Sequence, residues 1–208
     1  MFYETQPSNA FRFGDVVSGF ALTAPHLEKP TPASHPEDYS VTITYPRYSA
    51  VLTPCCSIGA STLLLSPLKP IMRGWLANLY FVEDFTRINR PMTAQQTVSP
   101  EKWAELSDPE KQKRLDLGKP AYAFAEYFVY EQHPLLPVYE DKWKGESRQI
   151  GHYMIDFRKI HKVECPEIKS PTDCPLGAKV LQLSIDTRAQ LREKFTDYFG
   201  RIPREDET

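Results

Sequence analysis

The alternation of apolar and polar positions predicts that this chain is built largely from short β-strands. In "YSVTITYPRYSAVLT", the apolar residues Val41, Ile43 and Tyr45 alternate with threonines, which is typical of a half-buried strand, and a continuous apolar run suited to a central strand follows. That run and the later "TLLLSPLKP" flank "PCCSIGAS", so we predict a hairpin or two neighbouring strands with two cysteines at the mouth. Earlier, "FRFGDVVSGFAL" predicts an entry strand after its Gly-Asp turn signal.

Proline usage predicts stiff loops between these strands. The segment "TAPHLEKPTPASHPED" is polar and holds four prolines, so we predict a long surface loop there. The whole chain has 19 prolines and nine glycines, which indicates short elements, because proline fixes its own backbone angle and withholds a ladder donor. This profile favours a β-rich barrel.

Residues 71–120 depart from the strand pattern and predict a helical insertion. Within them, Ser99 and Ser107 each mark a helix start, with a capping side chain and a proline near the first helical position. We expect Trp103, Leu106 and Leu115 to pack back onto the barrel.

The strand pattern returns after the insertion in "AYAFAEYFVY", "GHYMIDFRKIHKV" and "AKVLQLS". Barrel strands are therefore predicted over about residues 11–70 and 121–184. Ser184 is predicted to cap a final amphipathic helix over residues 185–199, which places Leu191, Phe195 and Phe199 on one face. For 208 residues we expect one elaborated domain of mainly β class with some α-helix.

Charge and composition narrow the range of partners. Lys and Arg total 25 and Asp and Glu total 27, so no global field draws the protein to nucleic acid, and any such contact needs a local patch. No apolar run approaches the roughly 18 residues of a membrane span, and no secretory signal pattern is present. We therefore expect a cytoplasmic protein, without membrane contact, whose four cysteines are reduced thiols or metal ligands.

Four segments taken in order resemble the SH3-like barrel of the PemK/MazF type. These are "GDVV", "RYSAVLT", "LLLSPLKP" and "MIDFRKI", which are similar to that fold's GD-V entry strand, its Arg-led second strand, its third strand ending in Pro-Leu and its late Leu-Asp-x-Ile-Arg strand. The closing "KVLQLSIDTRAQLREKFTDYF" also looks like the last segment of such proteins. The resemblance covers about half of the chain, in short apolar pieces.

Proteins of that family are often sequence-selective ribonucleases, or toxins paired with an antitoxin. Their chemistry uses an arginine before the second strand and a hydroxyl residue after the Pro-Leu, which supply charge stabilisation and proton transfer near one phosphate. Arg47 falls where that arginine would lie, Lys69 occupies the hydroxyl position, and Ser66 is close by. The resemblance thus implies these three residues as catalytic candidates, although a lysine cannot take over a hydroxyl's role unchanged.

The same barrel face is expected to hold RNA or DNA. The candidate residues are Arg47, Lys69, Arg73 and Arg158, with Tyr45 and Tyr48 for stacking on bases. The alternative interpretation is a solvated barrel rim with tyrosines half in the core, and the near-neutral net charge favours it.

Four cysteines raise a separate question. Cys55, Cys56, Cys165 and Cys174 could surround one zinc ion, although one adjacent pair and one pair separated by eight residues depart from the usual spacing of two to four. Zinc is the one cofactor that the sequence suggests. The alternative is that Cys55 and Cys56 point to opposite faces of a strand, with one of them buried as a small hydrophobic side chain.

Histidines extend these hypotheses. His133, His152 or His161 could replace one thiol in a zinc site. Cys56 could also act as a nucleophile if His152 or His161 lay nearby as its base.

Our leading hypothesis is a nucleic-acid or partner-binding module in a toxin, defence or regulatory system, with an antitoxin-like protein or a system subunit as partner. The alternatives are a non-catalytic protein-interaction subunit with structural cysteines and a cysteine-dependent enzyme. A homodimer through a strand edge and the terminal helix would place Phe195 and Phe199 in an interface.

Overall fold

Short strands joined by loops make up most of the computed structural model, which describes residues 1–27, 39–59, 61–72, 75–76, 79–90, 98, 100–116, 124–143, 146–172 and 179–200. The strands are β1 (Val16–Val17), β2 (Leu22–Leu27), β3 (Tyr39–Thr44), β4 (Ser49–Val51), β5 (Thr62–Pro67), β6 (Lys69–Pro70), β7 (Tyr127–Tyr130), β8 (Tyr139–Trp143), β9 (Glu146–Ile150), β10 (Tyr153–Asp156), β11 (His161–Glu164) and β12 (Lys179–Leu181). The α-helices are α1 (Leu79–Glu83), α2 (Pro100–Glu105), α3 (Asp108–Asp116) and α4 (Ile185–Phe199).

The chain divides into two compact units. The first comprises Met1–Leu68 and Arg158–Arg188, and the second comprises Lys69–Phe157 and Ala189–Thr208. None of the helices in the described parts of the chain has the length and apolar composition that crossing a bilayer requires.

An antiparallel sheet forms the centre of the first unit, with the strand order β11-β5-β4-β1-β12. The predicted hairpin is confirmed, because β4 pairs with β5 in the register Ser49 to Pro67 and the cysteine turn connects them. The continuous apolar run is central, as predicted, and its residues are buried. The core cluster of the first unit consists of Phe11, Val17, Phe20, Leu22, Val51, Ile58, Leu63, Leu65 and Ile168.

A two-stranded ribbon of β2 and β3 also belongs to the first unit, and it corrects two predictions. Strand β2, Leu22–Leu27, extends into the first five residues of the predicted loop, because pairing with β3 outweighs the one ladder donor that Pro25 lacks. The alternating residues do form strand β3, but the prediction that they are half-buried is wrong, since Val41 is 63% and Ile43 is 55% exposed. The remainder of the predicted loop, residues 28–38, lies outside the described residues.

The second unit contains its own sheet, with the order β6-β10-β7, and a hairpin of β8 and β9. All three strands of this sheet lie in stretches that the sequence assigned to the barrel, about residues 11–70 and 121–184, but they belong to the second unit. The predicted helices are present. At the start of α3, Ser107 donates from its N–H (3.0 Å) and from its hydroxyl (2.6 Å) to Oε2 of Glu110. Trp103 of α2 is buried within the second unit's own cluster, where Leu106 packs against it, and the side chain of Leu115 lies outside the description.

Helix α4 begins where the sequence predicts. The hydroxyl of Ser184 accepts a hydrogen bond from the backbone N–H of Thr187, and Gly200 follows the last turn. On its predicted apolar face, Leu191 is fully buried, Phe195 is half-buried and Phe199 is exposed.

The described strands form mixed β-structure with helices, and none of the sheets that they build closes into a barrel. The first unit's sheet ends at β11 and β12, which do not pair with each other within the described part of the chain. The closed barrel expected from the resemblance is therefore not seen among these residues, because the two edges remain separate strands.

Candidate functional site

Exposed apolar side chains occur at alternate positions along strand β3 and at the residue just after it. Val41, Ile43 and Tyr45 are 63%, 55% and 78% exposed, and their two-residue spacing brings them to one side of an extended chain. We call these three residues the β3 stripe. The facing positions on β2, Pro25 opposite Val41 and Thr23 opposite Ile43, are exposed as well. The ribbon thus presents an uncharged, largely apolar face.

Strand-forming residues and two tertiary contacts explain why the ribbon forms. Valine, isoleucine and threonine favour the extended backbone of β3. Leu22 of β2 is fully buried in the first unit's core, and Nδ1 of His161 lies 2.7 Å from the carbonyl oxygen of Thr23, which accepts its proton. The predicted zinc ligand His161 therefore tethers β2 beside β11.

The outer edge of β3 pairs with no further strand in the part of the chain that the structure describes. Among the described residues, β2 is the single neighbour of β3 in its sheet. Edge strands are commonly protected by lysine, proline or a bulge, and residues 40–45, Ser-Val-Thr-Ile-Thr-Tyr, contain neither lysine nor proline. Such an edge is a template onto which another extended chain can add.

Arg47 lies just beyond the β3 stripe and is exposed. Its guanidinium carbon sits 5.4 Å from the ring centroid of Tyr48, within the range of a cation-π contact. The Tyr48 ring is itself nearly buried, and its carbonyl oxygen accepts a hydrogen bond of 2.9 Å from the N–H of Leu68. An exposed cation therefore lies in the bend after the stripe, whereas little of the Tyr48 face is free for stacking on a base.

The other predicted nucleic-acid ligands are distributed along the chain. Arg158 is exposed in the turn that follows β10. Lys69 belongs to the second unit, where it is half-buried at the start of β6 opposite Met154. Arg73 lies outside the described residues.

Ser66, the candidate catalytic hydroxyl, lies in the middle of β5. It is completely buried and pairs with Ala50 of the central strand. A substrate phosphate could reach this hydroxyl only after the sheet opened, so Ser66 in this conformation is a core residue.

The two adjacent cysteines form a 3-10 turn, Cys55–Ser57, between β4 and β5. Cys55 is half-buried, and its sulfur accepts a hydrogen bond of 3.4 Å from the N–H of Phe13. Cys56 is exposed, with its sulfur 3.8 Å from the hydroxyl oxygen of Ser57. The alternative interpretation is therefore wrong on two points, because neither cysteine is fully buried and the two lie in a 3-10 turn and not on a strand.

The remaining candidate zinc ligands are less exposed or not described. Cys165 packs against the first unit's core, and burial raises the pKa of its thiol. Cys174 lies outside the described residues. Within the described ranges, no group of three or more His, Cys, Asp and Glu side chains is placed to hold a metal ion. His133 accepts a hydrogen bond from the N–H of Leu135 in a turn.

The second unit has a cleft of about 400 Å³ that sequence reasoning missed. Its lining includes Glu83, Asp84, Phe85, Glu131 and His152. Burial lowers the pKa of His152, and the charge of Asp84 opposes this effect. Two of the carboxylates already have partners, since Glu83 lies 2.6 Å from the Nη1 of its neighbour Arg87 and Asp84 accepts from the N–H of Thr86. The alternation pattern carries no signal for this cleft, because its lining comes from segments that are far apart in sequence.

A buried charge pair lies within the first unit. Asp15 of the Gly-Asp turn is fully buried, and its Oδ2 accepts from Nζ of Lys179 at 2.8 Å and from the N–H of Arg12 at 2.8 Å. Burial raises the pKa of Asp15 to about 6, despite the opposing Lys179 charge. Lys179 also donates to the carbonyl oxygens of Ser8 and Ala10. This cluster ties the N-terminal segment to β12 and has a structural role.

Comparisons with known proteins add no relative to this picture. A scan against models of protein families found no match, and searches of curated proteins and of solved structures found none either.

Proposed function

We propose that the first unit is a recognition module that binds a partner protein by accepting an extended segment along β3. The observation that carries this proposal is the β3 stripe: Val41 and Ile43 of β3 and the adjoining Tyr45 are exposed, and β3 pairs with no strand other than β2 among the described residues. A bound strand would pair with the main-chain groups on the outer edge of β3 and pack beside the stripe, which is the mode of β-strand addition.

We extend the proposal to the fold of the first unit. We infer that the first unit is a divergent SH3-like module of the PemK/MazF type. In its sheet, β1 lies between the last strand, β12, and the next sheet strand, β4, while the β2–β3 ribbon intervenes in sequence and lies beside β11. This strand order supports the inference, since an SH3-like barrel places its first strand between its second and its last.

The free energy of burying the β3 stripe supports binding of a protein partner. Fully burying a valine or isoleucine side chain contributes roughly 1.5–3 kcal/mol, and an aromatic ring contributes at the upper end of that range. Because more than half of each side chain in the β3 stripe is still exposed, covering all three would contribute about 3–5 kcal/mol before the cost of association. That contribution suits a moderate, reversible complex.

The test is the selection of displayed random peptides on the intact protein. The wild type should enrich peptides that the Val41→Thr/Ile43→Thr double variant does not retain, because threonine keeps the strand propensity of β3 and removes apolar surface. Val138→Thr, at an exposed valine in the second unit, is the matched control and should retain the same peptides as the wild type. Equal enrichment on the wild type and on the double variant would refute the proposal.

A second candidate function is binding of RNA or DNA, in keeping with the resemblance to toxin-type ribonucleases. Exposed Tyr45 and Arg47, close together in sequence, are the observation in its favour. Gel-shift assays at low salt, where phosphate contacts are strongest, should then show binding that Arg47→Ala weakens. Cleavage would need another hydroxyl or base, because Ser66 is buried in β5. Absence of both binding and cleavage at low salt would remove this candidate.

A further inference from the structure

We infer that the segment accepted by β3 alternates apolar and polar residues and carries a carboxylate that pairs with Arg47. This inference rests on the proposed function and names the chemistry of the partner. Its premises are the spacing of the β3 stripe, the position of Arg47 and the charges on the ribbon.

The spacing of the stripe sets the pattern of the partner. Side chains on one side of an extended chain recur at every second residue, and so do those of a strand that pairs with it. A segment that covers Val41, Ile43 and Tyr45 therefore needs apolar side chains at alternate positions, while its intervening residues face away from the stripe.

Arg47 is two residues after Tyr45, in the bend that follows β3, so an exposed cation lies close to the end of the stripe along the chain. The guanidinium carbon of Arg47 lies 5.4 Å from the centroid of the Tyr48 ring, and this contact restricts the side chain, so that Arg47 has less conformational entropy to lose when it pairs with a bound group. Among the described residues no carboxylate pairs with Arg47, and the ribbon residues 22–26 and 40–45 are free of acidic side chains.

The charge at the end of the stripe therefore favours an acidic group in the partner. A carboxylate can take two parallel hydrogen bonds from a guanidinium, which makes this pair stronger than an ordinary exposed ion pair. A lysine or arginine at the same place would be repelled, and a neutral residue would leave the cation covered without a partner. The uncharged surface along β3 favours a peptide over the phosphate backbone of a nucleic acid, which requires several cations.

The experiment is a paired peptide selection on the full-length wild type and on Arg47→Glu, with the β3 stripe unchanged in both. Peptides selected on the wild type should carry Asp or Glu at a fixed place beyond their apolar alternation, and those selected on Arg47→Glu should carry Lys or Arg there. In fluorescence anisotropy, each selected peptide should bind its own protein about tenfold more tightly than the charge-reversed protein. Lys159→Glu, an exposed cation in the same unit, is the matched control and should leave the wild-type preference unchanged.

The outcomes separate this inference from the proposed function. Peptides that depend on the stripe but show no charge preference, or that bind Arg47→Glu equally well, would overturn the inference and leave the function standing. Absence of any stripe-dependent peptide would overturn both. Displacement of every selected peptide by single-stranded RNA at low salt, without a preference for carboxylates, would assign Arg47 to phosphate binding and would also overturn the inference.

Discussion

Replacing Asp15 by asparagine should change how the stability of the protein depends on pH. The Asp15 side chain is fully buried, and burial raises its pKa from 3.8 to about 6 even though Nζ of Lys179 lies 2.8 Å from Oδ2. The unfolded chain titrates this group near its ordinary value. The native protein therefore binds the proton more tightly than the unfolded chain, and its free energy of unfolding falls as the pH rises from about 4 to about 6.

The magnitude follows from the difference between the two states. A rise of about two pKa units corresponds to about 3 kcal/mol of stability that is present at low pH and lost as the pH passes the folded-state pKa. Asparagine has no such titration. The free energy of unfolding of Asp15→Asn minus that of the wild type should therefore rise by about 2–3 kcal/mol between about pH 4 and pH 7.5. If the asparagine side chain also changes the free energy of unfolding by an amount that does not depend on pH, that amount shifts the difference equally at every pH and leaves its rise unchanged.

Urea unfolding followed by circular dichroism at several pH values measures this difference. Asp197→Asn, which makes the same change at an exposed carboxylate of α4, is the matched control for the loss of one charge. A constant difference for Asp15→Asn would mean that burial does not perturb this group. A difference that falls as the pH rises would mean that the attraction of Lys179 outweighs the loss of solvation, which would refute the reasoning.

Three further predictions concern individual side chains. Asn89→Ala should lower the free energy of unfolding, measured in urea titrations, by about 2–4 kcal/mol. The buried Asn89 side chain accepts from the N–H of Val129 (2.6 Å) and donates to its carbonyl oxygen (2.7 Å), and alanine would leave both groups unpaired. A loss below about 0.5 kcal/mol would contradict this. Iodoacetamide followed by mass spectrometry should label Cys56 before Cys165, because Cys56 is exposed and burial raises the pKa of Cys165; faster labelling of Cys165 would contradict the placement of these thiols. Gly59→Ala should destabilise by more than about 1 kcal/mol in urea, since Gly59 has a φ of 116° and an added Cβ would lie 2.8 Å from a carbonyl oxygen; unchanged stability would refute it.

Elements set by local chemistry were predictable. The capping signals at Ser107 and Ser184 locate the starts of α3 and α4, since a cap involves residues within one helical turn. The apolar runs around the cysteine turn locate β4 and β5, because a short run between turn signals has few alternatives. The burial of the Asp15 carboxylate and the cleft around His152 were not predictable, because segments far apart in sequence form the surroundings of both.

Local patterns along the chain were enough to predict the mixed β class, the hairpin at the cysteine turn and the starts of α3 and α4. The tertiary fold sets which strands share a sheet, the pairing of Leu22–Leu27 with β3 despite Pro25, and the burial of Ser66. It also decided that the apolar side of β3 faces solvent. The physical reason is that alternation shows which residues share one side of a strand, whereas burial depends on whether another segment packs there. For β3, the described residues place no such segment over Val41 and Ile43, and an extended partner is the proposed cover.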